Sequence, residues 1–341
     1  MEKEKRSCSV VKMDSRALLV FAVIFCLGCK GTFSCPKRCT CHFSNKTTEV
    51  VCPDVSLSRY PSDSLPGSAT SLTIQFTNLS NVTAPDLRAT PLLKELHLPG
   101  NRLRSLPADL LAGLTHLHTI DLTGNLIQEL PPHVFHHAPL LNLVLKDNLL
   151  TNVSADWLPR SSSLTWLDLS GNQLKESPTG LLHRLTRLEV LHLSQNHLQE
   201  LPADSFHSLF ALERLYLDGN KLQALDSKAF SGNANLTYLF LQKNQMDTLP
   251  PAVFHGLARL HYVDLSNNRL RFLAPGTLPA GIGWVDLDGN PWHCNAKLAP
   301  LWMWLNSHSG RSEPKCASPE GLKGRVISKL TSTELGLSPA H

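Results

Sequence analysis

The sequence predicts an α/β solenoid: a horseshoe of stacked coils with a parallel β-sheet on its concave face, an irregular or short-helical convex side, and disulfide-capped ends. Three observations predict it. First, one phrase, "LERLYLDGNKLQAL" at Leu212–Leu225, returns as "LKELHLPGNRLRSL", "LEVLHLSQNHLQEL" and "LHYVDLSNNRLRFL", with leucine-like residues at slots 1, 4, 6, 11 and 14 and asparagine at slot 9. The asparagines are Asn101, Asn125, Asn148, Asn172, Asn196, Asn220, Asn244, Asn268 and Asn290, spaced by 24, 23, 24, 24, 24, 24, 24 and 22 residues. A fixed period in the twenties marks units that bury their apolar faces only by stacking. Second, slots 3 to 7 read x-L-x-L-x, a strand period, so slots 4 and 6 point inward and slots 3, 5 and 7 outward. Third, beyond residue 31 the cysteines stand only at the two ends of the array.

Met1 to Arg16 is polar and basic, and Ala17 to Leu27 is an eleven-residue apolar run followed by Gly28, Cys29 and Gly31. That is the layout of a secretory signal peptide, expected over residues 1–31, with cleavage after Gly31 or, alternatively, at Gly28 or Cys29. The run is short for a membrane span, which needs about 20 residues, and this disfavours a signal anchor. The chain has 341 residues and a formal charge of +4. Residues 1–31 carry six Lys/Arg against three Asp/Glu, which leaves 26 against 25, or +1, for the rest. No basic stripe remains as a footprint for nucleic acid.

An amino-terminal cysteine cap is expected over residues 32–68. Cys35, Cys39, Cys41 and Cys52 have the spacing C-x3-C-x-C-x10-C. Zinc is the rival reading, but the spacing lacks paired C-x2-C units and the leader implies an oxidising compartment. Disulfides are therefore expected here, and between Cys294 and Cys316 at the other end. The repeats, about nine to ten of them, are expected over residues 69–290. The first copy is less regular, with Ile74 at slot 6 and Thr77 at slot 9. At slot 9 the chain turns off the sheet, and a side chain with both an amide donor and a carbonyl acceptor satisfies the backbone groups exposed there. The return segment is often opened by proline (Pro107, Pro131, Pro178, Pro202, Pro250), and Phe135, Phe206, Phe230 and Phe254 at slot 19 are expected to plug the core from the convex side. The carboxy-terminal cap and tail are expected over residues 291–341. Leu298, Leu301, Trp302 and Leu305 follow helical spacing, with Pro300 near the helix start. The chain ends 25 residues after Cys316 without an apolar tail, so release into the extracellular space, with no membrane insertion, is the expectation.

Five N-x-[ST] sequons, at Asn45, Asn78, Asn81, Asn152 and Asn235, are candidate glycosylation sites in an exported chain. None is a slot 9 asparagine. Asn78 and Asn81 are close enough that one is expected to stay bare.

"LxxLxLxxNxL" in the repeats, with cysteine caps at both ends, resembles the secreted extracellular leucine-rich repeat family. The closer likeness, to plasma glycoproteins of that family, rests on "LVLKDNLL" (Leu143–Leu150), "LDLSGNQLKESPTGLL" (Leu167–Leu182), and "GNPWHCNAKLAPLWMWL" leading to "KCASPEGLKG". Cys294 is followed by Asn295 and Ala296, where most extracellular repeat proteins continue C-x-C. The four-cysteine amino-terminal cluster is fuller than this likeness leads one to expect. The resemblance implies a serum glycoprotein of inflammation that binds transforming growth factor beta and its accessory receptors and affects blood-vessel growth.

The residues themselves point to binding. Slot 3 carries Glu95, Thr119, Asn142, Trp166, Val190, Arg214, Tyr238, Tyr262 and Trp284; slot 5 carries His97, Asp121, Val144, Asp168, His192, Tyr216, Phe240, Asp264 and Asp286. All are expected to face solvent. Core packing does not explain aromatics there, and large aromatics are favoured anchors at interfaces. Trp166, Asp168, His192, Arg214, Tyr216, Tyr238, Phe240, Tyr262 and Trp284 therefore form a candidate protein-binding patch. The competing reading is a cross-strand ladder that only stabilises the sheet. Catalysis finds little support. The pairs His97/Asp121 and Asp168/His192 are half a triad, but no nucleophile elbow accompanies them. "HVFHH" (His133–His137) is read as surface histidines rather than a metal site, and no cofactor motif occurs. Two classes stay open: a soluble plasma binding protein, and a matrix protein that lays the concave face on collagen. The second is disfavoured because the chain lacks an acidic or tyrosine-rich amino-terminal tail.

Overall fold

A computed structural model describes residues 35–53, 56–308 and 312–337; the expected leader at 1–31 lies outside them. Among the described residues, two hairpin strands and ten repeat strands make one twelve-stranded sheet. Strands β1 (Thr40–Phe43) and β2 (Thr48–Pro53) form the antiparallel hairpin, and β2 then pairs in parallel with β3 (Ser71–Gln75). The sheet continues in chain order through β4 (Glu95–His97), β5 (Thr119–Asp121), β6 (Asn142–Val144), β7 (Trp166–Asp168) and β8 (Val190–His192). On the return side, β9 (Glu200–Leu201) pairs with β11 (Ala224–Leu225) as a separate two-stranded sheet. The main sheet resumes at β10 (Arg214–Tyr216), β12 (Tyr238–Phe240), β13 (Tyr262–Asp264) and β14 (Trp284–Asp286). Register is slot on slot: Arg214 lies beside Val190 and Tyr238, and Tyr216 beside His192 and Phe240. Both cross-strand neighbours of a given slot therefore face the same way.

The central leucine, isoleucine or valine of each main-sheet strand from β4 onward is buried, as are Leu72 and Ile74 of β3, as the strand period requires. The slot 9 asparagines run in single file and cross-link the coils. Asn172 donates from Nδ2 to the carbonyls of Leu145 (2.9 Å) and Leu169 (3.0 Å) and accepts from the Leu150 N–H (3.0 Å). Asn125, Asn148, Asn196, Asn220, Asn244 and Asn268 repeat this arrangement. Thr77 fills the first slot by donating its hydroxyl to Asn101 Oδ1. One slot earlier, every coil from Phe76 to Gly289 adopts a positive φ to turn the chain off the sheet. Gly171 suits that turn for a second reason: a Cβ there would stand 1.9 Å from Asp147 Oδ1 and 3.2 Å from its Cα.

The convex side consists mostly of turns, with one-turn helices α1 (Ala84–Leu87) and α2 (Thr179–Leu182). Phe135, Phe206, Phe230 and Phe254 are buried there, and the last three stack at ring separations of 6.1 and 6.4 Å. The leucine spacing does not reveal two further plugs. Trp157 is buried and donates Nε1–H to the Leu130 carbonyl; Asn233 is buried and donates to the carbonyls of Phe206 and Leu209.

Both ends are closed by sulfur. Cys35 bonds Cys41 and Cys39 bonds Cys52, fastening the hairpin to the segment before it. At the far end Trp292 is fully buried, Cys294 bonds Cys316, and α3 (Ala299–Ser307) buries Leu301 and Leu305. Pro300 lies in the first turn of α3. Trp302 is only partly buried, and its Nε1–H donates to the Leu330 carbonyl in the returning tail. Among the described residues, no helix is long and apolar enough to cross a membrane.

Candidate functional site

Strands β7 to β14 hold the aromatic residues singled out by slot, and the parallel register brings most of them into one column. Trp166 leans on His192 at 5.1 Å between ring centroids. His192 stacks on Tyr216 at 4.0 Å and 6° between planes, and Tyr216 stacks on Phe240 at 4.4 Å and 4°. Phe240 meets Tyr262 at 5.4 Å, and Tyr262 lies 6.4 Å from Tyr238. The Arg214 guanidinium stands 5.4 Å from the Tyr238 ring centre, within cation–π range. Trp284, in register beside Tyr262, ends the row. The two tryptophans are the open ends of the column, at 36% (Trp166) and 40% (Trp284) exposure, while the rings between them are half-buried against one another.

Not every slot 3 and slot 5 side chain faces solvent. Val190, Asp168 and Asp264 are buried. Asp168 accepts from the Ser170 N–H (2.8 Å) and hydroxyl (2.5 Å), so it staples the turn after its strand and lies in the floor of the patch rather than at its margin. Asp121 and Asp264 make the same turn with Thr123 and Ser266.

The electrostatics divide the face. At the amino-terminal end, the Asp121 carboxylate (3.7 Å) and, further, Glu95 hold the His97 imidazole above its ordinary range. Burial alone would raise Asp121, but His97 and the Thr123 hydroxyl and N–H hold it below the usual carboxylate value. In the column, burial pushes His192 down, and Lys146 adds to this against the opposing pull of Asp168 and Asp218. At the carboxy-terminal end, burial raises Asp264 and Asp288, and Asp286 raises both further. Asp168 and His192 are thus in register, yet the carboxylate is committed to Ser170 and the ring to its stack. His133 Nδ1 and His136 Nε2 are 3.2 Å apart on the convex side. Among the described residues, no group of three or more His, Cys, Asp or Glu side chains is placed to hold a metal ion.

Of the five sequon asparagines, Asn45, Asn78, Asn81 and Asn152 are exposed; Asn235 is partly covered and donates to the Phe210 carbonyl. Phe76, at 64% exposure, was not singled out by its sequence pattern, although a phenylalanine in a turn slot otherwise held by small or polar residues was a readable signal.

A stack of coils with an asparagine ladder, a parallel sheet and an aromatic column on its open face defines a leucine-rich repeat solenoid. Models described as leucine rich repeat match residues 91–143, 175–222 and 210–270, and a further one matches 163–185. The chain is similar to chondroadherin-like protein of Mus musculus, 40% identical over 48 residues, covering 14% of this chain and 6% of that protein. It is also similar to a phospholipase A2 inhibitor of Gloydius brevicaudus siniticus, 36% identical over 55 residues, covering 15% and 17%. Human trophoblast glycoprotein matches at 36% over 58 residues, covering 16% and 14%. The chain thus spans well under a fifth of the length of these relatives. The crystal structure of human trophoblast glycoprotein aligns at a TM-score of 0.57 and 24% identity, covering 89% of this chain and 98% of that one. The TLR13–ssRNA13 complex aligns at 0.59 and 22%, covering 67% and 33%. At such identities these two structures speak to the fold alone.

Proposed function

We propose that this chain is a secreted plasma glycoprotein that acts as a protein-binding module rather than an enzyme, with the aromatic column of the sheet face as its docking strip. The sequence resembles leucine-rich alpha-2-glycoprotein, and on that resemblance the partners are transforming growth factor beta and its accessory receptors, with modulation of signalling in blood vessels and inflammation as the outcome. The observation that carries the reading is the column from Trp166 through His192, Tyr216 and Phe240 to Tyr262. The rings support one another, so little side-chain freedom is lost when a partner covers them. A stacking ladder and a docking strip are therefore compatible roles for the same residues. In slots 3, 5 and 7 of β5 to β14 the side chains open to solvent are mostly acidic among the charged ones: Asp121, Asp218, Asp286 and Asp288 against Lys146 and Arg214. A partner with basic residues around an apolar centre is complementary to it.

The test replaces Trp166 and Trp284 by serine, singly and together. These rings stand at the open ends, so folding is retained while binding to transforming growth factor beta or its receptors, measured by surface plasmon resonance, weakens at least tenfold. Unchanged affinity in the folded double variant rules out the strip. Recovery of the protein with the insoluble collagen fraction rather than in serum would favour a matrix role.

A further inference from the structure

Slot 8 of each coil has a positive φ, where the Cβ crowds the following carbonyl and bulky side chains are disfavoured. Glycine holds the slot at Gly100, Gly124, Gly171, Gly219 and Gly289, and the other later coils use Asp, Asn, Gln or Lys. Phe76, at φ 54°, is the exception, and its ring is 64% exposed. Neither backbone preference nor burial accounts for a phenylalanine there. Part of one side of the ring is covered, since a Cβ on Gly100 would stand 2.4 Å from Phe76 Cδ1. The remainder is open.

Two residues on stands Asn78, exposed, in the sequon Asn78-Leu79-Ser80. Thr77, between them, turns inward and bonds Asn101, which leaves Phe76 and Asn78 on the solvent side of the same turn. Slot 10 carries a sequon in no other coil, and slot 8 carries a bulky aromatic in no other coil. The two exceptions coincide. Asn81 has a different setting: the residue two before it, Leu79, is buried, and its sequon hydroxyl, on Thr83, is bonded to Asp86 in the cap of α1.

We propose that Asn78 carries an N-linked oligosaccharide whose first N-acetylglucosamine packs its apolar face on the Phe76 ring. The sugar face presents polarised C–H groups, which the negative face of an aromatic ring attracts. Covering the ring also removes its apolar surface from water. The inference rests on the secretory reading of the chain, because such oligosaccharides are added only on that route.

The test uses the full chain secreted from mammalian cells. Glycopeptide mass spectrometry gives occupancy at each sequon, and thermal midpoints are compared for the parent, Ser80→Ala, Phe76→Ser and the double variant. Ser80→Ala removes the Asn78 sugar alone. The expected result is an occupied Asn78, a fall in midpoint of about 2 °C on Ser80→Ala in the parent, and no further fall in the Phe76→Ser background. Phe76→Leu keeps an apolar contact with Gly100 and replaces the serine variant if that one does not fold. A bare Asn78, or two effects that add, overturns the inference. Sugar at other sequons, or at none, with Asn78 bare defeats it while leaving the secretory reading intact; a chain that is kept inside the cells without sugar defeats both.

Discussion

His97 and His192 occupy slot 5 four coils apart and shift in opposite directions. His97 is raised by the Asp121 carboxylate and Glu95 against the effect of burial, whereas His192 is lowered by burial within its stack. A raised histidine contributes stability that is fully present below its ordinary value of 6.5 and is lost as pH rises through its folded value. A lowered histidine costs stability as pH falls through 6.5, and the loss levels off below its folded value. The two effects have opposite sign and adjoin at 6.5: as pH falls, the His97 contribution grows down to 6.5 and the His192 cost sets in below it, so together they favour a stability maximum near 6.5. Proton NMR titration separates them. His97 is expected to titrate above 6.5 and His192 below it, and Asp121→Asn is expected to bring His97 down while leaving His192 in place. A His97 unmoved by that substitution would show that the pair is not the cause. The slots of both histidines were legible in the repeat alignment, but the direction of each shift was not. It depends on what the neighbouring coil brings to the ring: Asp121 holds its turn through Oδ1 and still reaches His97 through Oδ2 at 3.7 Å, whereas His192 is buried in its ring stack.

The unit of cohesion between elements is the slot 9 asparagine. From Asn125 onward each one reaches carbonyls in its own coil and in the coil before, and takes an N–H from that earlier coil, as Asn172 does. Asn172→Ala leaves the buried Leu150 N–H unmet, while the Leu145 and Leu169 carbonyls each keep a bond, from Asn148 and Asn196. An unmet buried group costs about 1–3 kcal/mol. The expected loss is about 1–3 kcal/mol, read as a shift of the urea midpoint. A loss under about 1 kcal/mol would mean that water substitutes for the amide. The ladder was legible because one side chain type must recur wherever the same backbone groups recur. Asn233 was not, because it is the one asparagine in a slot that Leu114, Leu185, Leu209 and Leu257 fill in other coils, and only contact with the Phe206 and Leu209 carbonyls reveals its role. Trp157 was missed for the same reason: a single residue has no period.

In the whole molecule each coil touches only its neighbours, so the two ends determine how far fraying reaches inward. The Cys294–Cys316 bond holds the final cover over β14. Its removal by the paired Cys294→Ala and Cys316→Ala change is expected to cost about 3 kcal/mol in the loop-entropy account. Because the stack is one-dimensional, the loss falls locally. Hydrogen exchange is expected to quicken in β13 and β14 and to stay unchanged in β3 to β5. Uniform loss of protection along the sheet would show that the solenoid unfolds as a single unit.

The sequence alone determined the coil period, the strand slots, the asparagine file and the role of the six cysteines as closures, because each follows from a local requirement repeated or mirrored along the chain. The tertiary structure decided which outward slots are open. Burial of Asp168, Asp264 and Val190, the stacking of His192 between Trp166 and Tyr216, and the exposure of Phe76 all depend on the particular residues that the next coil places alongside. Those neighbours are about 24 residues away in the chain and a single strand spacing away in space, and a repeat pattern specifies their backbone but not their side chains.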